Sequence, residues 1–180
     1  ILLGRIGWRR NQTLETASCQ CTPHCQTETV ISLFCSPRKR HVKNQPGLYA
    51  EIIYLDAKTS TYVEEVGAAN FFCIKDSVLY TPELTGTILP GITRDSIIAL
   101  ARHMGYEVVE EKVSAEFAMS ADEAFCCGTA AVISPIGSIT HADTKVTYGD
   151  GTPGTITKTL YDKLTGIQNE TEDDMFGWLH

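Results

Sequence analysis

The chain changes character near residue 48, and this change limits where a packed domain can form. Residues 1–48 carry seven basic and two acidic side chains, a net charge of +5, whereas the remainder carries a net charge of −12. Ser, Thr and Gln are frequent before residue 48, and no hydrophobic period is found there. A regular apolar pattern is what lets a helix or strand bury one face. We therefore predict an irregular segment over residues 1–48 and a folded domain over residues 49–180.

The composition excludes several classes of protein. A chain of 180 residues with 43% hydrophobic residues suits one ordinary domain with its own core. Its net charge of −7 and pI of about 5.2 disfavour nucleic-acid binding, which depends on Lys and Arg. No apolar run approaches the roughly 20 residues that cross a bilayer, so we expect no membrane-spanning segment. The first methionine is Met104, so we expect any targeting peptide to be absent.

The pattern after residue 49 mixes strands and helices without strict alternation, which predicts the α+β class. β-branched and aromatic residues predict strands over Glu51–Asp56, Asn70–Lys75, Val78–Thr81, Tyr106–Val113, Ala124–Cys127 and Ala131–Ile139, the second and third forming a hairpin around Asp76 and Ser77. Apolar spacing predicts helices from Ile92 to about Met104 and from Pro153 to about Ile167. Arg94, Asp95 and Arg102 are expected on the polar side of the earlier helix.

Two segments could present hydrogen-bond donors to an anion. In Leu89–Ile97 (LPGITRDSI), a Pro-Gly turn precedes the predicted helix, whose first amides and positive dipole end suit a phosphate. The alternative is an ordinary helix start with Thr93 near its cap. In Phe125–Pro135 (FCCGTAAVISP), a Gly-Thr break separates two apolar runs. The break predicts either an anion site at Thr129 or a simple β-bulge.

Two adjacent acids, Glu64 and Glu65, lie among apolar and small residues in Thr61–Phe72. A buried carboxylate is costly unless a cation or strong donor pairs with it. Neighbours on a strand face opposite ways, so the alternative is that one acid points to solvent, and we expect one functional acid at most.

The chain from about Tyr54 to His180 resembles the C-terminal domain of branched-chain amino acid aminotransferases, pyridoxal-phosphate enzymes of fold type IV (the D-amino acid aminotransferase-like fold). The segments that carry the resemblance follow one another in family order: YVEEVGAANFF, LYTPELTGTILPGITRDSI, ADEAFCCGTAAVISPIGSI, the YGDG turn with PGTITKTLYDKLTGIQ, and NETEDDMFGWL. The last segment favours branched-chain enzymes over D-amino acid aminotransferases and aminodeoxychorismate lyases.

The resemblance implies roles for particular residues. Glu65 matches the acid that contacts the pyridine nitrogen of pyridoxal 5'-phosphate, while Ile92 and Thr93 match donors to its phosphate. Thr129 matches a further phosphate contact, and the amides of Thr129 and Ala130 match those that face the substrate carboxylate. Gly67 and Asn70 match loop positions that shape the same pocket.

The catalytic lysine of the family lies in a Lys-x-Gly-Gly-Asn-Tyr-Ala stretch, followed by a helix and then by the strand seen here as YLDA. Lys43 and Tyr49 match the ends of that motif, but Asn44–Leu48 replaces its core. Ten residues separate Lys43 from Tyr54, too few for the usual helix. Lys43 is therefore either the catalytic lysine, with Tyr49 beside the cofactor, or a chance match.

The activity implied by the resemblance is transfer of the amino group of leucine, isoleucine or valine to 2-oxoglutarate, giving a branched 2-oxo acid and glutamate. It implies an intracellular homodimer of amino-acid biosynthesis, in cytoplasm, mitochondrion or plastid. The family's phosphate-binding arginine and its aromatic pocket have no counterpart in residues 1–42, so we interpret that stretch as misjoined or translated non-coding sequence. The alternatives are a truncated inactive chain, or a D-amino acid aminotransferase or lyase relative.

The cysteines carry a further alternative. Cys19, Cys21, His24, Cys25 and Cys35 have ligand chemistry for zinc, but their spacing departs from paired Cys-x2-Cys motifs, so we expect no metal site. Cys73, Cys126 and Cys127 lie on apolar runs and are expected to be buried thiols. Ala131 and Ser134 occupy the positions where some animal relatives carry a redox Cys-x-x-Cys, so that switch is expected to be absent.

Overall fold

The computed structural model describes residues 29–33, 51–141, 143–150 and 152–179. Over these residues strands and helices are mixed, which confirms the α+β class. The strands are β1 (Thr29–Leu33), β2 (Glu51–Leu55), β3 (Val63–Val66), β4 (Ala69–Lys75), β5 (Val78–Pro82), β6 (Val108–Glu111), β7 (Glu123–Gly128), β8 (Val132–His141) and β9 (Thr144–Thr147). The helices are α1 (Ile92–His103), α2 (Ala115–Met119) and α3 (Thr155–Gln168).

Six of the described strands form a closed antiparallel β-barrel, which we call the strand ring. Around the ring, β1 pairs with β2, β2 with β3, β3 with β4, β4 with β7, β7 with β8, and β8 with β1. Outside it, β5 extends the sheet from β4, β6 runs parallel to β5, and β9 pairs with β8. Closure matters because an unpaired strand edge exposes N–H and C=O groups that can recruit other chains.

Strands β4 and β7 are buried on both faces. Alternate side chains such as Phe71, Cys73 and Cys126 enter one apolar cluster, together with Ile53, Val66 and Ile136 from other ring strands. Their neighbours enter a second cluster, formed against α1 and α3: Phe72, Ile74, Phe125 and Cys127. This two-sided burial explains why NFFCIK is a nearly continuous apolar run rather than an alternating one.

The predicted hairpin and the predicted start of α1 are confirmed, and two further helix ends are defined by local residues. Asp76 and Ser77 join β4 to β5 with φ of 52° and 64°, the left-handed backbone that a two-residue hairpin turn requires. Helix α1 begins at Ile92, and Gly105 follows its end with φ of 86°. In α2, Ser114 is the N-cap, and its Oγ accepts from the Phe117 N–H at 3.0 Å.

Helix α3 begins at Thr155, two residues later than Pro153, where the sequence pattern places its start. A distant carboxylate sets the start, because Glu123 accepts from the N–H groups of Ile156 and Thr157 at 3.1 and 2.8 Å. Gly154 leaves room for this contact, since a Cβ there would lie 1.9 Å from the Glu123 carboxyl carbon.

Strand β1 departs from the expectation of an irregular segment over residues 1–48. Its residues pair with both β2 and β8, for example Thr29 with Ile53 and Thr29 with His141. These five residues of the N-terminal stretch therefore form regular structure. The edges of β2 and β8 supply their backbone partners, and the local sequence pattern of residues 29–33 gives no sign of those partners. The boundary at residue 48, and the different origin of the preceding stretch, stay predictions.

Removal of β1 should open the ring. We expect a chain lacking residues 1–33 to have a Tm several degrees below that of a chain lacking residues 1–28, because β2 and β8 would each lose a neighbour. Thermal melts and light scattering of the two truncations measure this. Equal melting and equal aggregation would show that β1 does not support the ring.

Arg94 is buried, whereas the helical pattern places it on the polar side of α1. Its side chain is 1% exposed, and its Nη2 donates to the Pro82 carbonyl at 3.0 Å and to Glu110 Oε2 at 2.9 Å. Glu110 also accepts from Arg102, which is exposed like Asp95. The prediction fails at Arg94 because its ion-pair partner lies on β6, outside the helix that the periodicity describes.

The pairing of Glu110 should make stability depend on pH. Partial burial raises the pKa of the Glu110 carboxyl, but hydrogen bonds and charges of Arg94 and Arg102 lower it further, so the pKa lies below its ordinary value of 4.5. The stabilisation is complete above pH 4.5 and is lost as the pH falls through the lowered pKa. Urea unfolding should show Glu110→Gln losing roughly 1 kcal/mol at pH 7, and a progressively smaller loss as the pH falls below 4.5. The control is Glu111→Gln, which changes the exposed neighbouring residue. An equal loss of unfolding free energy by Glu110→Gln at both neutral and acidic pH would contradict the prediction.

Candidate functional site

Three segments meet at one end of the strand ring. These are the β3–β4 turn at Gly67 and Ala68, the β7–β8 turn at residues 129–131, and the N-terminus of α1. Asn70 of β4 lies between them, because it is opposite Glu65 on β3 and opposite Cys127 on β7. The antiparallel registers therefore bring together segments that lie far apart in the sequence.

Glu64 and Glu65 both hold the loop that leads from β5 to α1. Glu65 Oε1 accepts from the Leu89 N–H at 2.8 Å, and Glu64 Oε1 accepts from the Thr87 hydroxyl at 2.6 Å. Both side chains are half-buried. Neither carboxylate merely faces solvent, since each has a partner in the loop, and the expectation of one functional acid at most stays a prediction.

Asn70 holds the same loop from the opposite side of Leu89. Its side chain is 6% exposed, and its Nδ2 donates to the Leu89 carbonyl at 2.9 Å. A Cβ at Gly91 would lie only 2.2 Å from Asn70 Oδ1, far inside van der Waals contact. The glycine of the LPGITRDSI segment is thus required by a neighbouring side chain, since its φ of −70° suits any residue.

The first turn of α1 has no side-chain cap. Gly91 is the N-cap residue, with extended backbone, and among the described residues no side chain accepts from the first amides. Thr93 is the second residue of the helix and is half-buried, so the helix does start here with Thr93 near its cap, as the alternative describes. The amides of this turn and the positive end of the helix dipole are consequently suited to an anionic group.

Thr129 and Ala130 form the exposed tip of the β7–β8 connection. Gly128 pairs with Val132, which has φ of 55°, so the break is a tight turn between paired strands rather than a bulge within one. A Cβ at Gly128 would lie 3.9 Å from the Ala69 Cβ, which places this turn beside the start of β4. The turn therefore lies at the same end of the ring as Glu65 and Asn70.

The thiols near this end are buried and unreactive in character. Cys73, Cys126 and Cys127 are free and buried, as the apolar runs predict. Burial raises the pKa of Cys126 to about 11 and those of Cys73 and Cys127 to about 12, so none is a thiolate at neutral pH. Cys126 lies opposite Ser134 across β7 and β8, where no disulfide is possible.

Other predicted positions lie outside the described residues. Lys43, Tyr49 and the proposed zinc ligands of residues 19–35 belong to this group. Within the part of the chain that is described, no cluster of His, Cys, Asp and Glu is suited to a metal ion. No helix there is long and apolar enough to cross a membrane.

The arrangement places an acid on the Leu89 amide, three residues before a helix N-terminus without a side-chain cap from the described residues. A fixed carboxylate can hold a protonated ring nitrogen, and free amides can bind a phosphate, so the residues fit a ligand that carries both groups. Sequence patterns identified Glu65, Ile92, Thr93 and Thr129 for this end. They missed the hydrogen bond from Asn70 to the Leu89 carbonyl. The sequence signal for this contact is Gly91, two residues after Leu89.

Comparison with known proteins identifies the family. The sequence model of the amino-transferase class IV family matches residues 40–139. The chain is 48% identical over 130 residues to branched-chain-amino-acid aminotransferase 3, chloroplastic, of Arabidopsis thaliana, and the match covers 72% of this chain and 32% of that protein. It thus spans about a third of the length of this relative.

Solved structures agree with the sequence match. The crystal structure of Escherichia coli branched-chain amino acid aminotransferase superposes with a TM-score of 0.65 at 42% identity, covering 72% of this chain and 41% of that one. The T.th. branched-chain amino acid aminotransferase complexed with N-(5'-phosphopyridoxyl)-L-glutamate has a TM-score of 0.65 at 32% identity, covering 73% of this chain and 42% of that one. This chain belongs to the class IV aminotransferase family.

Proposed function

We propose that this chain is the C-terminal, cofactor-holding domain of a branched-chain amino acid aminotransferase. The parent protein would transfer the amino group of leucine, isoleucine or valine to 2-oxoglutarate, giving a branched 2-oxo acid and glutamate. The names of the relatives from Arabidopsis thaliana and Escherichia coli support the substrate class. The phosphopyridoxyl-glutamate complex of the T.th. relative supports both the cofactor and the glutamate partner.

The observation that carries this proposal is the link between Glu65 and the start of α1. Glu65 Oε1 binds the Leu89 amide at 2.8 Å, and α1 begins three residues later with uncapped amides. The carboxylate and the anion-binding turn are therefore held by one short segment. Such a pair suits pyridoxal 5'-phosphate, which carries a basic ring nitrogen and a phosphate at separate ends.

When bound, pyridoxal phosphate supplies an electron sink for the electrons of the substrate Cα–H bond. Glu65 would hold a proton on the pyridine nitrogen, because an anionic partner favours the protonated ring. The Ile92 and Thr93 amides, the Thr93 hydroxyl and Thr129 would bind the phosphate, and the Thr129 and Ala130 amides would orient the substrate carboxylate.

The remaining roles are proposed on the resemblance. Lys43 would supply the amine that moves the Cα proton, with Tyr49 beside the cofactor. The parent protein would be a homodimer in an intracellular compartment, which for the Arabidopsis thaliana relative is the chloroplast by name. The changed motif around Lys43 favours a second candidate, an inactive chain that keeps the fold.

Binding of pyridoxal phosphate by the 180-residue chain tests the cofactor assignment. We expect Glu65→Gln to weaken binding by roughly tenfold, since it removes one charge-assisted hydrogen bond. Glu64→Gln should leave the affinity nearly unchanged, because the Glu64 side chain binds Thr87 instead. Equilibrium dialysis with the three proteins measures this. Equal affinities for all three, or no binding by the unaltered chain, would contradict the proposal.

Assays of amino transfer test the catalytic lysine. We expect the 180-residue chain to give no measurable transfer from leucine to 2-oxoglutarate, because Lys43 lies in an altered motif and residues 1–42 carry no match to the family's phosphate-binding arginine. The assay uses excess pyridoxal phosphate, with D-alanine as a comparison substrate and Lys43→Ala as a matched variant. Leucine turnover that disappears in Lys43→Ala would overturn this expectation and establish Lys43 as catalytic. A preference for D-alanine would instead overturn the branched-chain assignment.

A further inference from the structure

The backbone of Leu89 is held at both of its hydrogen-bonding groups. Its N–H donates to Glu65 Oε1 at 2.8 Å, and its carbonyl accepts from Asn70 Nδ2 at 2.9 Å. Glu65 and Asn70 lie directly opposite each other on β3 and β4. One cross-strand pair of side chains thus holds a single residue of the loop between β5 and α1.

The rest of this loop has few anchors near the helix. Leu89 is 68% exposed and Pro90 is exposed, whereas the buried Ile88 and the Glu64–Thr87 hydrogen bond lie upstream of Leu89. Arg94 binds the Pro82 carbonyl from within the helix, on its buried side. On the helix side of the Leu89 N–H, the side-chain hydrogen bond that holds the loop backbone is therefore the one from Asn70 to the Leu89 carbonyl.

Asn70 also limits how the chain passes from the loop into the helix. A Cβ at Gly91 would lie 2.2 Å from Asn70 Oδ1 and 3.4 Å from its Cγ, so the backbone of the N-cap residue lies against the side-chain amide. The next residue, Ile92, begins α1. One end of the buried amide group thus binds Leu89, and the other end limits the space at the N-cap residue, Gly91.

We propose that Asn70 is a positioning residue for the phosphate group of the cofactor. By holding Leu89 and Gly91, it sets the place of the Ile92 and Thr93 amides relative to the Glu65 carboxylate. It thereby holds the two binding elements at one fixed separation. The inference rests on the proposed function and adds a residue that acts through the backbone of the loop.

The test compares pyridoxal phosphate with pyridoxal, which lacks the phosphate. The ratio of their affinities isolates the phosphate contribution and does not fall when a variant is only less stable. In Asn70→Ala and in Asn70→Asp, which keeps the size but cannot donate to the Leu89 carbonyl, we expect this ratio to fall by roughly tenfold. Thr81→Val is the matched control, because it removes another buried hydrogen bond, from Thr81 Oγ1 to the Phe71 carbonyl at 2.8 Å. It should lower the Tm and leave the ratio unchanged.

A double-mutant cycle tests the contact with Gly91. Gly91→Ala alone should lower the affinity ratio, because the new methyl group displaces the Asn70 amide or the start of α1. In an Asn70→Ala background the same change should cost much less, since the nearest other atom is the Arg94 Cβ at 3.8 Å.

The outcomes separate this inference from the proposed function. An unaltered chain that binds both compounds equally, or neither, overturns both. A chain with a clear phosphate contribution that Asn70→Ala and Asn70→Asp retain overturns the role of Asn70 alone. Equal falls of the ratio in Asn70→Ala and Thr81→Val, or full additivity in the cycle, also overturn it, because they show a general structural effect.

Discussion

Burial of β4 and β7 on both faces is the constraint on which the rest of the structure depends. Phe71 and Phe72 are adjacent in sequence and both fully buried, yet they belong to different apolar clusters. One cluster requires that the sheet curl around it, and the other requires α1 and α3 as a cover. The helix that carries the candidate phosphate site is therefore placed by the same strand that carries Asn70.

Elements with strong local signals could be predicted from the sequence. The hairpin at Asp76 and Ser77 and the start of α1 at Ile92 rest on turn chemistry and helix periodicity within a few residues. Features set by distant partners could not be predicted in this way. The start of α3 depends on Glu123, and the burial of Arg94 depends on Glu110, so neither follows from its own segment.

The candidate site shows the same division. The resemblance to the family indicated Glu65, Thr93 and Thr129, because its motifs are short continuous stretches of sequence. The mutual arrangement of Glu65 and Asn70 is a property of the β3–β4 register, and only the structure gives their shared hold on Leu89. Residues that act on the backbone leave a weak trace in the sequence, here a glycine with an ordinary φ.

The closure of the ring by β1 has a consequence for the order of folding. Hairpins such as β4–β5 and β7–β8 join neighbouring segments, so their loop-closure entropy is small. The pairing of Thr29 with His141 joins the two most distant parts of the ring and gains little until both neighbours of β1 are in place. Contacts of such high sequence separation slow folding. We therefore expect the ring to close late, after the hairpins have formed. Until β1 docks, which we expect to be the slowest step of folding, β2 and β8 each expose an unpaired edge.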